Sequence, residues 1–169
     1  MTFFIRLMAL STVIFLAACT SPGRFGASND VTLGANGSGL DGAASDPTSP
    51  VFFSQTIGDR VFFAVDQASL SPEAQATLTS QAEWLITNTD YEAIIEGHAD
   101  EQGTTDYNIA LSARRANAVR EFLVARGIAS NRLRTLPLGK ERPVELCAEE
   151  RCYSQNRRAV SVISTGAVS

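Results

Sequence analysis

Histidine is almost absent from this sequence: His98 is the only one among 169 residues. A single histidine leaves too few partners for a histidine-based metal site or a serine–histidine catalytic pair. Lysine is nearly absent apart from Lys140, and the formal net charge is −4. That charge argues against a nucleic-acid-binding surface, which needs clustered basic residues. We therefore expect no metal, no cofactor and no nucleic-acid partner.

Long hydrophobic runs are also scarce, and the one present lies near the N-terminus. Arg6 precedes an uncharged apolar run over residues 7–18, which is too short to span a membrane permanently with these flanks. The run ends L-A-A-C at Cys19, which resembles a bacterial lipobox. We expect residues 1–18 to be a cleaved lipoprotein signal peptide and Cys19 to carry lipid. A plain signal peptide with an incidental cysteine is the alternative.

Residues 19–50 hold few large apolar side chains and are dominated by Gly, Ser, Ala, Asn, Asp, Thr and Pro. Such a composition cannot bury a core, so this segment is predicted to be a flexible tether that begins at the lipidated Cys19. A tether of this kind suits a globule that hangs from a membrane and reaches a nearby polymer, and a passive spacer fits equally well. By resemblance to enterobacterial sorting, Thr20 after the cysteine favours the outer membrane. The folded domain is expected over residues 51–169.

Four stretches of the domain are rich in β-branched or aromatic residues and are predicted as strands, at residues 60–65, 91–98, 133–138 and 159–163. Pro137 has no backbone N–H, so the third strand is expected either at an edge of the sheet or with Pro137 at the end of its hydrogen-bonded part. Ser71 and Pro72 open one helix that runs to about Asn88. A second helix has cap oxygens available at Thr104, Thr105 and Asp106, and it ends at Gly127. The order predicts an α/β (α+β) sandwich, with a mixed sheet of about four strands and helices on one face.

The second helix carries one unusual residue. Projected at 100° per residue, its apolar side has Asn108 and Arg115 at the centre, whereas Arg114 lies on the opposite, wetted side. A guanidinium among apolar neighbours needs an anion, and Asp100 in the preceding turn is the natural candidate. Two readings stay open at this point. Asp100 and Arg115 form a structural ion pair, or they bind the ammonium and the carboxylate of a zwitterionic ligand.

Three long blocks carry a family resemblance. They are E-G-H-A-D-E-Q-G-T-T-D-Y-N-I-A-L-S-A-R-R-A-N-A-V from residue 96, L-G-K-E-R-P from residue 138 and S-Q-N-R-R-A-V from residue 154. In this order and spacing, over residues 59–163, they resemble the OmpA-like peptidoglycan-binding domains, and among them the peptidoglycan-associated lipoproteins. The resemblance implies non-covalent capture of diaminopimelate in a peptidoglycan stem peptide. It assigns the ammonium to Asp100 and the carboxylate to Arg115.

Four further site residues are expected with less direct support. The resemblance implies that Asp66, which closes the first strand, lines the pocket partly through its backbone. Leu111 can pack on the aliphatic part of the ligand, and Asn108 either orients the peptide or satisfies backbone groups in the turn. The family places one arginine of N-R-R near the ligand; because adjacent strand residues point to opposite faces, at most one serves the pocket, and we favour Arg158.

The remaining chemistry-bearing residues have plainer interpretations. Cys147 and Cys152 are an even count once Cys19 is lipidated, and an exported chain meets an oxidising compartment, so we predict a disulfide rather than two free thiols. Trp84 is predicted to be core or half-buried, and His98 to be a turn or core residue rather than a ligand contact.

These observations predict a non-enzymatic envelope anchor in the outer membrane, facing the periplasm and bound to peptidoglycan. The resemblance further implies the Tol system, with the periplasmic protein TolB as a competing partner and a role in envelope constriction at division. Two other functions remain open, a peptidoglycan hydrolase or amidase and a structural lipoprotein that contacts only proteins. Hydrolysis has weak support, because no nucleophile or second positioned carboxylate accompanies Asp100 at a recognisable spacing.

Overall fold

The computed structural model describes residues 44–165, and four strands in this range form one sheet. The strands are β1 (Arg60–Phe62), β2 (Tyr91–His98), β3 (Leu133–Gly139) and β4 (Arg158–Thr165). Their spatial order is β1-β4-β2-β3. β4 is antiparallel to β1 and β2, whereas β2 and β3 are parallel. The predicted mixed sheet is confirmed, and β3 lies at an edge, where Pro137 is tolerated.

Two long helices pack on this sheet, and their ends follow the expected capping residues. α1 (Pro72–Thr87) begins after Ser71, whose side chain accepts a hydrogen bond from the Ala74 amide. α2 (Thr105–Ala125) begins after Thr104, whose hydroxyl accepts from the Tyr107 amide. Both predicted helices are therefore confirmed. Ser71 is the predicted N-cap of α1, and Thr104 is the N-cap of α2 among the candidates Thr104, Thr105 and Asp106.

The C-terminus of α2 also ends as its sequence predicts. Gly127 has a φ of +100°. Its amide donates to the Val124 carbonyl (2.9 Å), and the Ile128 amide donates to the Leu123 carbonyl (3.2 Å). These two bonds are the Schellman arrangement, in which a glycine in the left-handed conformation closes the helix. Ile128 is buried and folds back onto the last turn.

The core lies between the sheet and the two helices. Trp84 is part of it, as predicted: the ring is buried against Phe53, with centroids 4.9 Å apart, and its Nε1 donates to the Pro47 carbonyl (2.7 Å). The buried apolar residues of this cluster are Phe53, Val61, Phe63, Ala74, Leu78, Ala82, Trp84, Leu85, Ala93, Ile95, Ala116, Val119, Leu123, Ile128, Leu133 and Ala159.

β2 and α2 approach each other closely at Gly97. A Cβ atom added to Gly97 would lie 2.0 Å from the Ser112 carbonyl oxygen, a distance that no side chain can occupy. The Ser112 hydroxyl in turn accepts a hydrogen bond from the Gly139 amide (3.0 Å), which ties β3 to the same helical turn. These contacts bring the end of β2 against the middle of α2, where Arg115 lies.

Three parts of the fold differ from the sequence prediction. β1 is shorter than residues 60–65, because its pairing with β4 ends at Phe62, opposite Arg158, the first residue of β4. Before β1, a helical turn at Pro50–Phe52 continues into a π-helical turn at Phe53–Gly58. The predicted loop before β4 contains a third helix, α3 (Glu150–Asn156).

The region before the described domain bears on two other expectations. Pro47, placed by sequence in the tether, contacts the core through its bond from Trp84. The signal peptide over residues 1–18, the lipidation of Cys19 and most of the tether concern parts of the chain outside the described residues. Between residues 44 and 165, none of the helices combines the length and apolar character needed to cross a bilayer.

Candidate functional site

A cavity of about 320 Å³ opens between the loop after β1, the turn after β2 and the first half of α2. Its lining residues are Val65, Asp66, Asp100, Gln102, Gly103, Tyr107, Asn108, Leu111 and Arg115. Five of the six residues expected at the ligand therefore come together here. Arg158 is the exception and does not line the cavity.

Arg115 lies at the inner end of the cavity with none of its surface exposed. Its Nε donates to the Gln67 carbonyl (2.8 Å), Nη1 donates to the His98 carbonyl (2.8 Å) and Nη2 donates to the Ala64 carbonyl (3.2 Å). Backbone oxygens from the end of β2 and the loop after β1 thus engage three of the five N–H groups of the guanidinium. Sequence reasoning expected an anion as its partner and did not foresee these carbonyls.

The charge of Arg115 is not neutralised by contact. Within residues 44–165 no carboxylate forms an ion pair with it, and the Phe63 ring lies 5.2 Å from its guanidinium carbon. Burial lowers the pKa of Arg115 to about 10, while the nearby Asp100 charge opposes that shift. The group is still protonated at neutral pH, so the inner end of the cavity carries a desolvated positive charge.

The carboxylate of Asp100 is held by hydrogen bonds from residues other than Arg115. One carboxylate oxygen, Oδ1, accepts from the Gln102 amide (3.2 Å), and Oδ2 accepts from Nη1 of Arg157 (3.2 Å). The Asp100–Arg115 ion pair, one of the two readings left open by the sequence, is therefore wrong. The two groups line the same cavity, each held by its own neighbours.

Arg157, rather than Arg158, is the arginine next to the site. Arg157 is buried, and its Nε donates to the Phe63 carbonyl (3.2 Å) while Nη1 reaches Asp100. Arg158 donates to the Arg142 carbonyl (3.2 Å) and lies away from the cavity. Strand alternation could not separate the two, because Arg157 is the C-terminal cap of α3 and precedes the strand. Recognising α3 in the sequence would have been the necessary signal.

Asn108 and Leu111 lie on α2 where the helical projection places them. The Asn108 side chain donates to the Gln102 carbonyl (2.8 Å) and so holds the turn after β2, one of the two roles considered for it. Asn108 also lines the cavity beside Leu111, which offers the apolar part of the wall.

Asp66 stands at the mouth of the cavity in an unusual backbone conformation, with a φ of +57°. Its carboxylate accepts a hydrogen bond from the Tyr107 hydroxyl across the opening. Tyr107, Gln102, Gly103 and Val65 were not predicted at the site. Gln102 and Gly103 follow Asp100 in the same turn. Their closeness to Asp100 in the sequence could therefore have predicted that they line the cavity.

His98 contributes its carbonyl to the site, but its ring is buried and is not among the cavity residues. Burial, together with the nearby charges of Arg158 and Arg142, lowers the pKa of His98 to about 4. The ring is therefore neutral at physiological pH. A core position, as predicted, describes it better than a ligand contact.

The cavity is thus lined by groups of opposite charge. Asp100 and Asp66 supply carboxylates, and Arg115 supplies a buried cation. Such an arrangement suits a small ligand that carries an ammonium and a carboxylate a few ångströms apart. No cluster of metal-ligating side chains occurs among the residues that the structure describes.

The disulfide lies next to this region. Cys147 and Cys152 are joined, with their Cα atoms 5.8 Å apart, so the two thiols paired by sequence form the bond. Cys152 belongs to α3, and the disulfide closes the loop that leads into it.

Comparison with known proteins places the fold and site in context. A profile described as the OmpA family matches residues 62–157. The peptidoglycan-associated lipoprotein of Mesorhizobium japonicum is 48% identical over 158 residues, which cover 94% of this chain and 90% of that protein. The peptidoglycan-associated lipoprotein of Haemophilus influenzae is 32% identical over 160 residues, covering 91% and 94% of the two chains.

Solved structures give the same picture. The crystal structure of the peptidoglycan-associated lipoprotein from Burkholderia pseudomallei matches with a TM-score of 0.64 and 36% identity, covering 72% of this chain and 99% of that one. The C-terminal domain of Helicobacter pylori MotB matches with a TM-score of 0.60 at 19% identity, covering 64% and 86%. At that low identity the MotB likeness concerns the fold alone.

Proposed function

This chain belongs to the OmpA family, among its peptidoglycan-associated lipoproteins, and from that membership we propose that it binds the diaminopimelate residue of peptidoglycan stem peptides without cleaving them. Arg115 receives the carboxylate of that residue and Asp100 receives its ammonium. One observation carries the proposal: Arg115 is buried in a cavity wall with no carboxylate paired to it among residues 44–165. A ligand carboxylate supplies the missing counter-charge.

The hydrogen bonds of Arg115 leave room for that carboxylate. A guanidinium has five N–H groups, and three of those on Arg115 are engaged by carbonyls. One hydrogen on each of Nη1 and Nη2 remains, and in this proposal the ligand carboxylate accepts from these two. The three carbonyl bonds hold the guanidinium plane in place before the ligand arrives, which reduces the ordering that binding requires.

The other lining residues complete the pocket in this proposal. Asp66 adds a second negative charge near the mouth, and Leu111 packs against the methylene chain between the two charged ends of the ligand. Asn108 holds the turn that carries Asp100. Arg158, expected at the ligand from sequence, has no part in this arrangement, because it lies outside the cavity lining.

The cellular role follows from family membership and from the N-terminal sequence. We propose that lipid on Cys19 anchors the mature chain in the outer membrane, that the segment from residue 20 to about residue 43 spans part of the gap, and that the domain grips the wall from the periplasm. As the resemblance implies, the Tol system is the setting, with TolB as a partner that competes with the wall during constriction at division.

Binding to purified sacculi tests the proposed function. We compare the wild type with Asp100→Ala, Arg115→Ala and Arg114→Ala, the last being a matched control on the exposed side of the same helix. We expect binding to fall by about tenfold or more for the first two variants, since each loses a charge-assisted contact, and to remain unchanged for the third.

Two further results would contradict the proposal. Equal binding by all four proteins would exclude this cavity as the site, and release of soluble fragments from the sacculi would favour a hydrolase or amidase. Circular dichroism of each variant separates lost binding from lost folding.

A further inference from the structure

The carboxylate assigned to the ligand ammonium already has a cationic partner. Asp100 accepts a hydrogen bond from the buried guanidinium of Arg157, and the side chains of both residues are about nine-tenths buried or more. An isolated pair of this kind has no net charge. It would therefore attract an incoming ammonium much less than a lone carboxylate does.

A second carboxylate restores the negative charge. Glu150 also contacts Arg157. Nη2 of Arg157 donates to Glu150 Oε1, and Nη1, the atom that bonds Asp100, lies 3.4 Å from Glu150 Oε2. Two carboxylates around one guanidinium carry a net charge of minus one. Glu150 thus neutralises the cation that would otherwise cancel Asp100.

Arg157 and Glu150 stabilise each other's charged forms. Burial opposes the charge on Arg157, but its hydrogen bonds to Glu150 and Asp100 outweigh burial and raise its pKa. The hydrogen bond from Arg157 in turn lowers the pKa of Glu150. Arg157 and Glu150 are therefore both ionised at neutral pH, as the charge argument requires.

Glu150 is held in this place by the local structure of α3. It occupies the first turn of that helix, whose Cys152 is bonded to Cys147. The buried Asn156 at the other end accepts from the Val144 amide (2.8 Å) and donates to the Glu145 carbonyl (2.8 Å). Glu149, one residue earlier, takes a different partner and pairs with Arg151 at the surface.

We propose that Glu150, acting through Arg157, is a positioning residue for the ammonium end of the ligand site: it fixes Arg157 against Asp100 and keeps the subsite negative. This inference rests on the proposed function. It assigns part of the ligand selectivity to α3 and its disulfide, which lie outside the cavity lining.

Two peptides and two conservative variants test the inference. The full-length lipoprotein in detergent is titrated with a stem tripeptide that contains diaminopimelate, and with the same tripeptide acetylated on the free diaminopimelate amine. The variants are Glu150→Gln and the matched control Glu149→Gln, which removes a neighbouring exposed charge of the same type.

We expect Glu150→Gln to reduce the affinity for the unmodified tripeptide by about two- to fivefold. The effect is modest because solvent partly screens the charge of Glu150. The acetylated tripeptide, which lacks the diaminopimelate ammonium, binds more weakly to every protein, and Glu150→Gln does not change its affinity. Glu149→Gln leaves both affinities at the wild-type value. A Glu150→Asp variant, which retains the charge, recovers part of the loss.

Two outcomes overturn the inference while leaving the proposed function intact. In the first, Glu150→Gln binds the unmodified tripeptide as tightly as the wild type does. In the second, Glu150→Gln reduces the affinity for both peptides by the same factor, which indicates a purely structural role for Glu150. If the wild type binds neither peptide, or Asp100→Ala binds as well as the wild type, the proposed function itself fails and this inference fails with it.

Titration at raised ionic strength gives an independent readout. Because Glu150 is substantially exposed, its contribution is screened when the Debye length falls to about 3 Å in 1 M salt. The difference between wild type and Glu150→Gln therefore shrinks as salt is added. A difference that stays constant with salt contradicts an electrostatic role for Glu150.

Discussion

Arg115 combines two tasks in one side chain. It lies in the wall of the cavity, and it also joins the loop after β1 to the end of β2 through its bonds to Ala64, Gln67 and His98. The pattern of apolar neighbours on the helix identified Arg115 as buried and separated it from Arg114. Its partners could not be predicted in the same way, because a backbone carbonyl can come from any residue and leaves no mark in the sequence.

Replacing Arg115 by lysine tests whether a charge alone is sufficient. A lysine ammonium has only three N–H donors. It therefore cannot bond the three carbonyls that Arg115 bonds and also donate to a ligand carboxylate. We expect Arg115→Lys to lower the free energy of unfolding by about 2 to 4 kcal/mol, because buried carbonyls lose their partners. We also expect it to lose most binding to sacculi. Urea unfolding and the sacculus assay measure the two effects.

Arg114→Lys is the control for that substitution, since its side chain lies on the exposed side of α2. We expect no measurable change in unfolding or binding. Retention of full stability and full binding by Arg115→Lys would show that the planar, forked shape of the guanidinium is not required.

His98 offers a direct measurement at the residue scale, because the sequence has a single imidazole. Its pKa in the folded protein is lowered to about 4 from an ordinary value of 6.5, so the unfolded chain binds the proton first as the pH falls. The stability that the neutral ring provides is therefore complete above pH 6.5 and is lost between 6.5 and 4. The corresponding slope is at most about 1.4 kcal/mol per pH unit.

Two measurements check this prediction. The NMR titration of the imidazole is expected to have a midpoint near pH 4, and unfolding of a His98→Asn variant is expected to have a shallower pH dependence than the wild type between pH 4 and 6.5. A midpoint near 6.5 would contradict the burial of the ring.

At the scale of elements, the approach of β2 to α2 sets the position of the site. Gly97 allows the strand to lie against the Ser112 carbonyl, and the residues that follow Gly97 lead directly into Asp100. Any widening of this contact would separate the carboxylate end of the cavity from Arg115.

Substitution of Gly97 measures how strongly that contact matters. We expect Gly97→Ala to lower the free energy of unfolding by about 3 kcal/mol or more, because the added methyl meets backbone rather than a movable side chain. Gly127→Ala is the control: nothing lies within 4 Å of its Cβ, but its φ is +100°. We expect a cost of about 1 kcal/mol there, from backbone strain alone. Equal effects in denaturant unfolding would contradict the steric argument.

α3 shows where sequence reasoning stopped at this scale. The strands and long helices have repeating apolar positions, and those repeats predicted β2, α1 and α2 closely. α3 has only seven residues, of which Cys152 and Asn156 alone are buried, so no apolar period identifies it. It is held by tertiary bonds, namely the disulfide and the Asn156 contacts. The exchange of Arg158 for Arg157 in the predicted site is a direct result of missing this helix.

Removal of the disulfide tests that view of α3. In a Cys147→Ser/Cys152→Ser variant we expect the free energy of unfolding to fall by about 2 kcal/mol at most, since the closed loop is short. We expect the amides of α3 to exchange with solvent much faster, while those of β2 keep their wild-type protection. Hydrogen exchange followed by mass spectrometry resolves the two regions. Unchanged exchange in α3 would show that the disulfide is not needed to hold it.

At the scale of the whole molecule, the proposed division of labour assigns attachment to the lipidated N-terminus and recognition to the folded domain. The composition of residues 19–50 predicts a tether, and the fold class and most of the cavity could be predicted from the domain sequence. The hydrogen bond from Tyr107 to Asp66 at the mouth of the cavity could not be predicted. It joins two residues far apart in the sequence, and no repeating pattern connects their side chains.

A variant that loses membrane attachment but keeps ligand binding tests whether the two functions are separate. We expect Cys19→Ser to move the protein from the outer-membrane fraction to the soluble periplasmic fraction, because the acyl chains that provide stable attachment are missing. Its affinity for the stem tripeptide is expected to equal that of the wild type. Membrane retention of Cys19→Ser, or a loss of tripeptide affinity, would contradict the separation.

The bonds of Arg115 also have a mechanical consequence. An anchor between a membrane and a wall works under tension, and in the proposed complex a pull on the ligand carboxylate arrives first at the guanidinium. From there the load divides between the loop after β1 and the end of β2, and it enters α2 through the side chain itself. Because several segments share the force, the ligand would leave its pocket before any one of them peels away, and the anchor could release and bind the wall again without unfolding.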